Sequence, residues 1–428
     1  MSKTSLPAHY TTTLENGLEV VAIPLDNDSD VVSIDIFYKV GSRNEKMGKS
    51  GIAHMLEHLN FKSTKNMKAG EFDEIVKGYG GVNNASTGFD YTHYFIKASS
   101  RNLQKSLDLF ADMMANLSLK DEEFQPERLV VAEERRWRTD NNPMGYLYFR
   151  LFNNTYIYHP YHWTPIGFKE DINNWDIQDI REFHQTYYTP NNAILVVAGD
   201  FKKEDLFKMA KKSFGAIKKG PEIPHVHTVE PKQDGEKRVT VYKESEVEMV
   251  AIAYHVPNYQ HEDITALNAI SEILSSGKSS RLEKTLVDDK RVVNQIFAYT
   301  MDLIDPGVFM IVAVCNPGVK AEFVENEILA QLELLKKGDV SQAELDKIKI
   351  NTKSDFIYSI ESSSNVSNLF GSFLARGDLK PLMTYEENID ALKLDTIKEV
   401  AERYFNSKNS TTLILKKEQD NDDSEKEQ

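Results

Sequence analysis

Hydrophobic positions along the chain alternate in short runs and recur at helical spacing in longer ones, and the two periods take turns. Residues 18–24 open with a strand pattern. In residues 31–40, Val32, Ile34, Ile36, Tyr38 and Val40 alternate with less apolar neighbours, which predicts a half-buried strand. A turn at 41–45 leads to a short helical stretch that begins at Gly51, and a glycine-rich turn at 79–82, a strand around 91–98 and an amphipathic helix near 103–116 follow. The same order then returns. Val250, Ile252, Tyr254 and Val256 repeat the alternation of Ile34, Ile36, Tyr38 and Val40 at an offset of 216 residues, ahead of a strand at 308–314 and a helix near 321–336. Residues 340–345 likewise echo 119–124. Repetition on this scale predicts an α+β fold of two homologous domains, each a mainly antiparallel sheet packed with helices, rather than a solenoid. The expected divisions are an N-terminal domain at 1–217, a linker at 218–237 rich in Pro, Gly, Lys and His, a C-terminal homologous domain at 238–416, and a disordered acidic tail at 417–428.

Within the first repeat, Gly51-Ile-Ala-His-Met-Leu-Glu-His-Leu59 has two opposite faces. Ile52, Met55, Leu56 and Leu59 form an apolar stripe of the kind that packs on a sheet, while His54, Glu57 and His58 share the other side. Two imidazoles one turn apart can grip one tetrahedral metal, and a carboxylate beside them can hold its water. The order His-x-x-Glu-His is the inverted form of the zinc-peptidase helix. The bland alternative is a solvated polar face. The duplication offers a control, because the positions that match His54, Glu57 and His58 are Ile270, Ile273 and Leu274. A triplet present in one copy only points to a dedicated site in the N-terminal domain.

Composition narrows the classes without naming a chemistry. With 428 residues, 40% of them hydrophobic and 27% charged, the chain is long enough for two large domains, and no apolar run reaches the length of a membrane span. A net charge of −15 argues against nucleic acid as the main partner. One cysteine, Cys315, excludes an internal disulfide and a cysteine-built zinc site, and its apolar surroundings suit a buried structural thiol. Low cysteine usage fits a cytoplasmic protein, or a periplasmic one if a leader has been removed.

Two histidines leave a metal site incomplete. Residues 126–137 are the best source of a third ligand: Pro126 suits a first helical turn, 141–143 would end the helix, and Glu127 and Glu134 lie seven apart on one face, with Glu133 pointing elsewhere. The chain here resembles the M16 family of zinc peptidases, and within it the two-domain, mitochondrial-processing-peptidase-like branch found in bacteria. The resemblance covers most of the chain: Asn16-Gly-Leu18, Gly41-Ser-Arg43, the block 51–64, Gly80-Gly-Val-Asn-Asn-Ala85, 127–142 and 187–200. In that family the glutamate ligand lies about 76 residues past the second histidine of the motif, which falls on Glu134, and an acidic residue one heptad earlier falls on Glu127.

The resemblance implies one Zn²⁺ held by His54, His58 and Glu134, with Glu57 as general base and Glu127 orienting a ligand from behind. It also implies an extended peptide lying against a strand edge near Asn84 and Ala85. One departure stands out. Many family members carry an Arg and a Tyr seven residues apart in the second half, and here Val287 and Asn294 occupy those positions. In two-subunit relatives a homologous, zinc-free partner supplies the pair. The expectation is therefore a zinc endopeptidase acting as the catalytic subunit of a clamshell heterodimer. The alternatives are a homodimeric peptide-degrading enzyme and a non-proteolytic zinc-binding core subunit. His159 and His162, in a proline-containing loop, read as structural, as does His184 at a helix end; Tyr91 and Tyr94 read as strand residues flanking the site.

Overall fold

A computed structural model describes residues 5–26 and 29–418. Nearly all of the expected acidic tail lies outside the described residues. The chain divides into two compact units. One is built from residues up to Arg135 with His159–Val229 and Thr352–Glu387, the other from Arg136–Tyr158, Glu230–Asn351 and Asn388 onward.

The first unit holds a six-stranded sheet in the order β1 (Tyr10–Thr13), β2 (Glu19–Pro24), β6 (Ala193–Gly199), β3 (Val31–Tyr38), β5 (Thr92–Ser99) and β4 (Val82–Thr87). Only the β2–β6 pair is parallel. Val32, Ile34, Ile36 and Tyr38 of β3 face a core shared with the helices α1 (Ile52–Asn60) and α3 (Leu103–Asn116). The intervening face is not solvated as expected for a half-buried strand. Phe37, Val21, Ile23, Ile194, Val196 and Ala198 form a second core with Val366, Phe370 and Ala375 of the helix Ser363–Arg376, and β3 is buried from Val32 through Tyr38. The covering helix arrives more than 300 residues later in the chain, beyond the reach of local periodicity. Its close approach depends on Gly371, where a Cβ would lie 2.0 Å from the Phe37 ring.

The second unit repeats this plan with five strands, in the order β7 (Lys237–Lys243), β11 (Ser410–Lys417), β8 (Met249–His255), β10 (Val308–Cys315) and β9 (Val293–Thr300). Strands β8 and β10 match β3 and β5, and the helix Ile264–Ser275 takes the place of α1, with Ile270, Ile273 and Leu274 buried in its core. Here the helix Pro143–Thr155 packs on β11 and β8, the counterpart of Ser363–Arg376 in the first unit. Compact units therefore differ from a simple cut at 217 and 238. Residues 136–158 and 352–387 each close a sheet that the opposite half of the sequence supplies.

The Gly371→Ala change should destabilise the first unit by about 1–3 kcal/mol through overpacking, read as a lower melting temperature. Adding Phe37→Leu, which trims the ring the new methyl strikes, should recover part of that loss; additive effects of the two changes would contradict the contact.

Candidate metal centre

Helix α1 starts at Gly51, which has φ +89° and no room for a side chain: a Cβ would lie 2.7 Å from the Ile166 carbonyl oxygen. Its first amides are capped by a distant carboxylate. Glu45 accepts from the Gly51 and Ala53 amides, each at 2.8 Å, and from the Trp163 indole at 2.9 Å. Burial pushes the Glu45 carboxyl up to about 8, against the pull of these donors. Asp171 accepts from the Ser50 amide (2.9 Å) and hydroxyl (2.6 Å), and Ser50 in turn accepts from the Phe168 amide (2.8 Å). The helix entrance is thus bonded to residues 163–171. Ile52, Met55, Leu56 and Leu59 are buried, and His54, Glu57 and His58 lie half-buried on the other face.

The helix α4 spans Asp121–Arg135, with Asp121, Glu122 and Glu123 in its first turn. Pro126 therefore sits in the second turn rather than the first. Its missing N–H leaves an early carbonyl unbonded at an exposed end, where water can serve it. A π-helical turn, Arg136–Asp140, carries the helical run on to its expected end at 141–143, and Asn142 caps the next helix. Arg135, buried, donates to the Gly167 carbonyl and ties the end of α4 to the loop beside the α1 entrance.

These constraints bring Glu134 to the two imidazoles. Its Oε2 lies 3.6 Å from His54 Nε2 and 3.3 Å from His58 Nε2, and the rings are 4.8 Å apart at 77°. One ligand atom from each of the three residues falls within 4.8 Å of the others. At metal–ligand bonds of about 2.0–2.2 Å, neighbouring ligands of a tetrahedral ion lie roughly 3.3–3.6 Å apart, so the donor set fits a divalent metal of the zinc type.

Behind the donors, His58 Nδ1 meets Glu127 Oε1 at 2.8 Å, and Glu127 Oε2 meets Lys62 Nζ at 2.6 Å. Burial alone would lower His58, but Glu127 and Glu134 outweigh it and push the imidazole up to about 9. Hydrogen bonding from His58, then from Lys62, holds the Glu127 carboxyl below its usual value. Carboxylates arranged to favour a proton on His58 favour a metal cation in the same place. Glu133, the neighbour of the ligating acid, is exposed.

Glu57 stands beside this cluster, with Oε2 accepting a 2.6 Å hydrogen bond from Thr87 Oγ1 at the end of β4. Strand β4 is the last in its sheet and pairs with β5 alone. Asn84 is exposed, opposite Phe95 on the sheet face away from α1, whereas Ala85, opposite Tyr94, packs against the core on the α1 face. His159 is buried and accepts from the Tyr161 amide, outside the cluster. His162 packs near Trp163 and Phe168. His184, pushed down to about 4 by burial, stacks on Tyr188. Tyr94 accepts from Asn60 beneath α1, and Tyr91 precedes β5 instead of lying in it. Sequence reasoning missed Thr87, Lys62, Glu45 and Asp171. Lys62 carried a local signal, lying four residues past His58, as did Glu45, six residues ahead of Gly51; Thr87 and Asp171 join across 30 and 121 residues and carried none.

Among the described residues, a two-histidine, one-glutamate donor set of zinc-site chemistry thus sits in one copy of a duplicated α+β fold, and known proteins share this chain's sequence and fold. Residues 20–162 match the family model Insulinase (Peptidase family M16), and residues 174–352 match Peptidase M16 inactive domain. The chain belongs to the M16 peptidase family. It is 56% identical to the zinc protease PqqE of Helicobacter pylori, over 96% of this chain and 93% of that one. It is 25% identical to a probable mitochondrial-processing peptidase subunit beta of Arabidopsis thaliana, over 94% and 77%. The crystal structure of a protease from Helicobacter pylori superposes with a TM-score of 0.95, at 56% identity, over 96% of this chain and all of that one.

Metal affinity, measured by competition with a chromophoric chelator, should separate Glu127, Glu133 and Glu134 of α4. The Glu134→Ala change should abolish stoichiometric binding, Glu127→Ala should weaken it by about 10–100-fold, and Glu133→Ala should leave it unchanged.

Proposed function

We propose that the chain is a zinc-dependent endopeptidase that hydrolyses extended peptides. The observation that carries the reading is Glu134 Oε2 at 3.3 and 3.6 Å from two imidazole nitrogens, with the Glu57 carboxylate alongside. His54, His58 and Glu134 hold the ion, which when bound supplies Lewis acidity that lowers the pKa of water and polarises a carbonyl. Glu57 takes the proton of the attacking water and delivers it to the leaving amine. Glu127 fixes His58 through Nδ1, leaving Nε2 for the ion, and Lys62 fixes Glu127. An extended substrate pairs with the open side of β4, where Asn84 and Ala85 offer main-chain groups.

The departure at Val287 and Asn294 supports a catalytic subunit that works beside a homologous, zinc-free partner carrying the Arg/Tyr pair. Asn294 is an exposed position on β9, an edge strand, and Val287 lies in the π-helical turn Glu283–Asp289. The match of 174–352 to an inactive-domain model accords with the loss of the metal triplet in the second copy.

Turnover of a quenched-fluorescence peptide by the purified chain, alone and with a homologous partner, tests the proposal. The wild type should cleave, faster with the partner, and Glu57→Gln should keep its zinc while losing about 10²–10⁴-fold in turnover. Full activity in Glu57→Gln would remove the base assignment. Activity without gain from a partner would favour a homodimer, and zinc without hydrolysis a core subunit.

A further inference from the structure

The three residues of β4 that face α1 each anchor the strand. Asn83 donates to Asp73 at 2.7 Å, Ala85 packs into the core, and Thr87 donates to Glu57 at 2.6 Å. Strand β4 is an edge strand whose backbone pairs with β5 through its last residue, Thr87 opposite Thr92, and these side-chain contacts add to that pairing. The carboxylate of Glu57 sits on a three-bond side chain whose torsions cost entropy to fix. The Thr87 hydroxyl helps to fix them and joins the strand edge to the acid beside the metal cluster.

The second copy of the fold shows what this position becomes without a site. Ser86 lies opposite His93 in the first sheet, and Thr300 lies opposite Phe309, the match of His93, in the second. Thr87 thus corresponds to Met301, and Glu57 to Ile273. The hydroxyl and the carboxylate are absent together. A threonine that merely ended a strand would have no reason to be replaced along with a residue 30 positions away.

We propose that Thr87 is a positioning residue for Glu57, coupling the strand on which an extended peptide pairs to the orientation of the general base. The inference rests on the peptidase reading and deepens it. A peptide that adds to β4 as a further strand holds the Thr87 end of that strand, and through Thr87 Oγ1 it holds Glu57 Oε2. Removing the hydroxyl leaves both the metal donors and the pairing edge in place, so the loss falls on the chemical step.

Thr87→Val keeps shape and β propensity and deletes only the donor. In the zinc-loaded full chain it should lower kcat by about 10–100-fold, the scale of a small misplacement of a reacting group, with KM and zinc content unchanged. Thr87→Ser, which keeps the donor, should recover most of that loss, and Thr87→Ala should behave as Thr87→Val should the valine variant fail to fold. A crystal structure of the valine or alanine variant should show the Glu57 carboxylate turned from its present position. Wild-type turnover in any donor-free variant, or a loss equally large in Thr87→Ser, would overturn the role of Thr87 while leaving the peptidase reading standing. A wild-type chain that cleaves no peptide would overturn both.

Discussion

One close approach governs the site, that of the Glu134 carboxylate to the imidazoles of His54 and His58. Neither helix could bring it about alone. Helix α1 supplies two nitrogens one turn apart because its opposite face is apolar and buried. Helix α4 supplies the oxygen because the next residue, Arg135, is buried and bonded to Gly167. Gly167 in turn abuts the α1 entrance so tightly that a Cβ on it would lie 2.5 Å from the Ser50 carbonyl oxygen. Three half-buried groups with one shared need for positive charge are thereby locked into a small volume. A carboxylate and two imidazoles so placed favour a cation, whether a proton on His58 or a metal ion.

The parts legible in sequence were those that short-range periodicity encodes. The two faces of α1, the alternation in β3 and its repeat at Val250–Val256 could be read from spacing alone. Glu134 could be picked from its neighbours only through the resemblance to M16 peptidases, since Glu127 shares its face; the contacts then distinguish the two, one meeting both imidazole Nε2 atoms and the other His58 Nδ1. What sequence could not convey were contacts closed by distant segments. The second face of β3 is covered by Ser363–Arg376, the Trp163 indole donates to the Glu45 carboxylate from 118 residues away, and Thr87 reaches Glu57 from another element. Pro126 misled because a proline marks a first turn only by preference, and an exposed second turn tolerates it here.

The duplication separates what the fold requires from what the chemistry requires. Both copies keep the strand order and the helix that matches α1. Only the first places polar groups at the working positions. The same holds on the far face of the first sheet, where Ser33 and His93 both bond to Asp35 in a buried chain and the matching residues are Met249, Phe309 and Ala251. Apolar residues serve the architecture equally well at every one of these places, and buried polar groups cost stability unless each finds a partner. Their concentration in one copy sets the first unit, which holds the candidate metal centre, apart from the second.

The most direct measurement is anomalous X-ray diffraction at the zinc edge from crystals of the protein purified without added metal. The account predicts one strong peak per chain, bounded by His54 Nε2, His58 Nε2 and Glu134 Oε2. No peak there, with the Glu134 side chain turned to solvent, would contradict it.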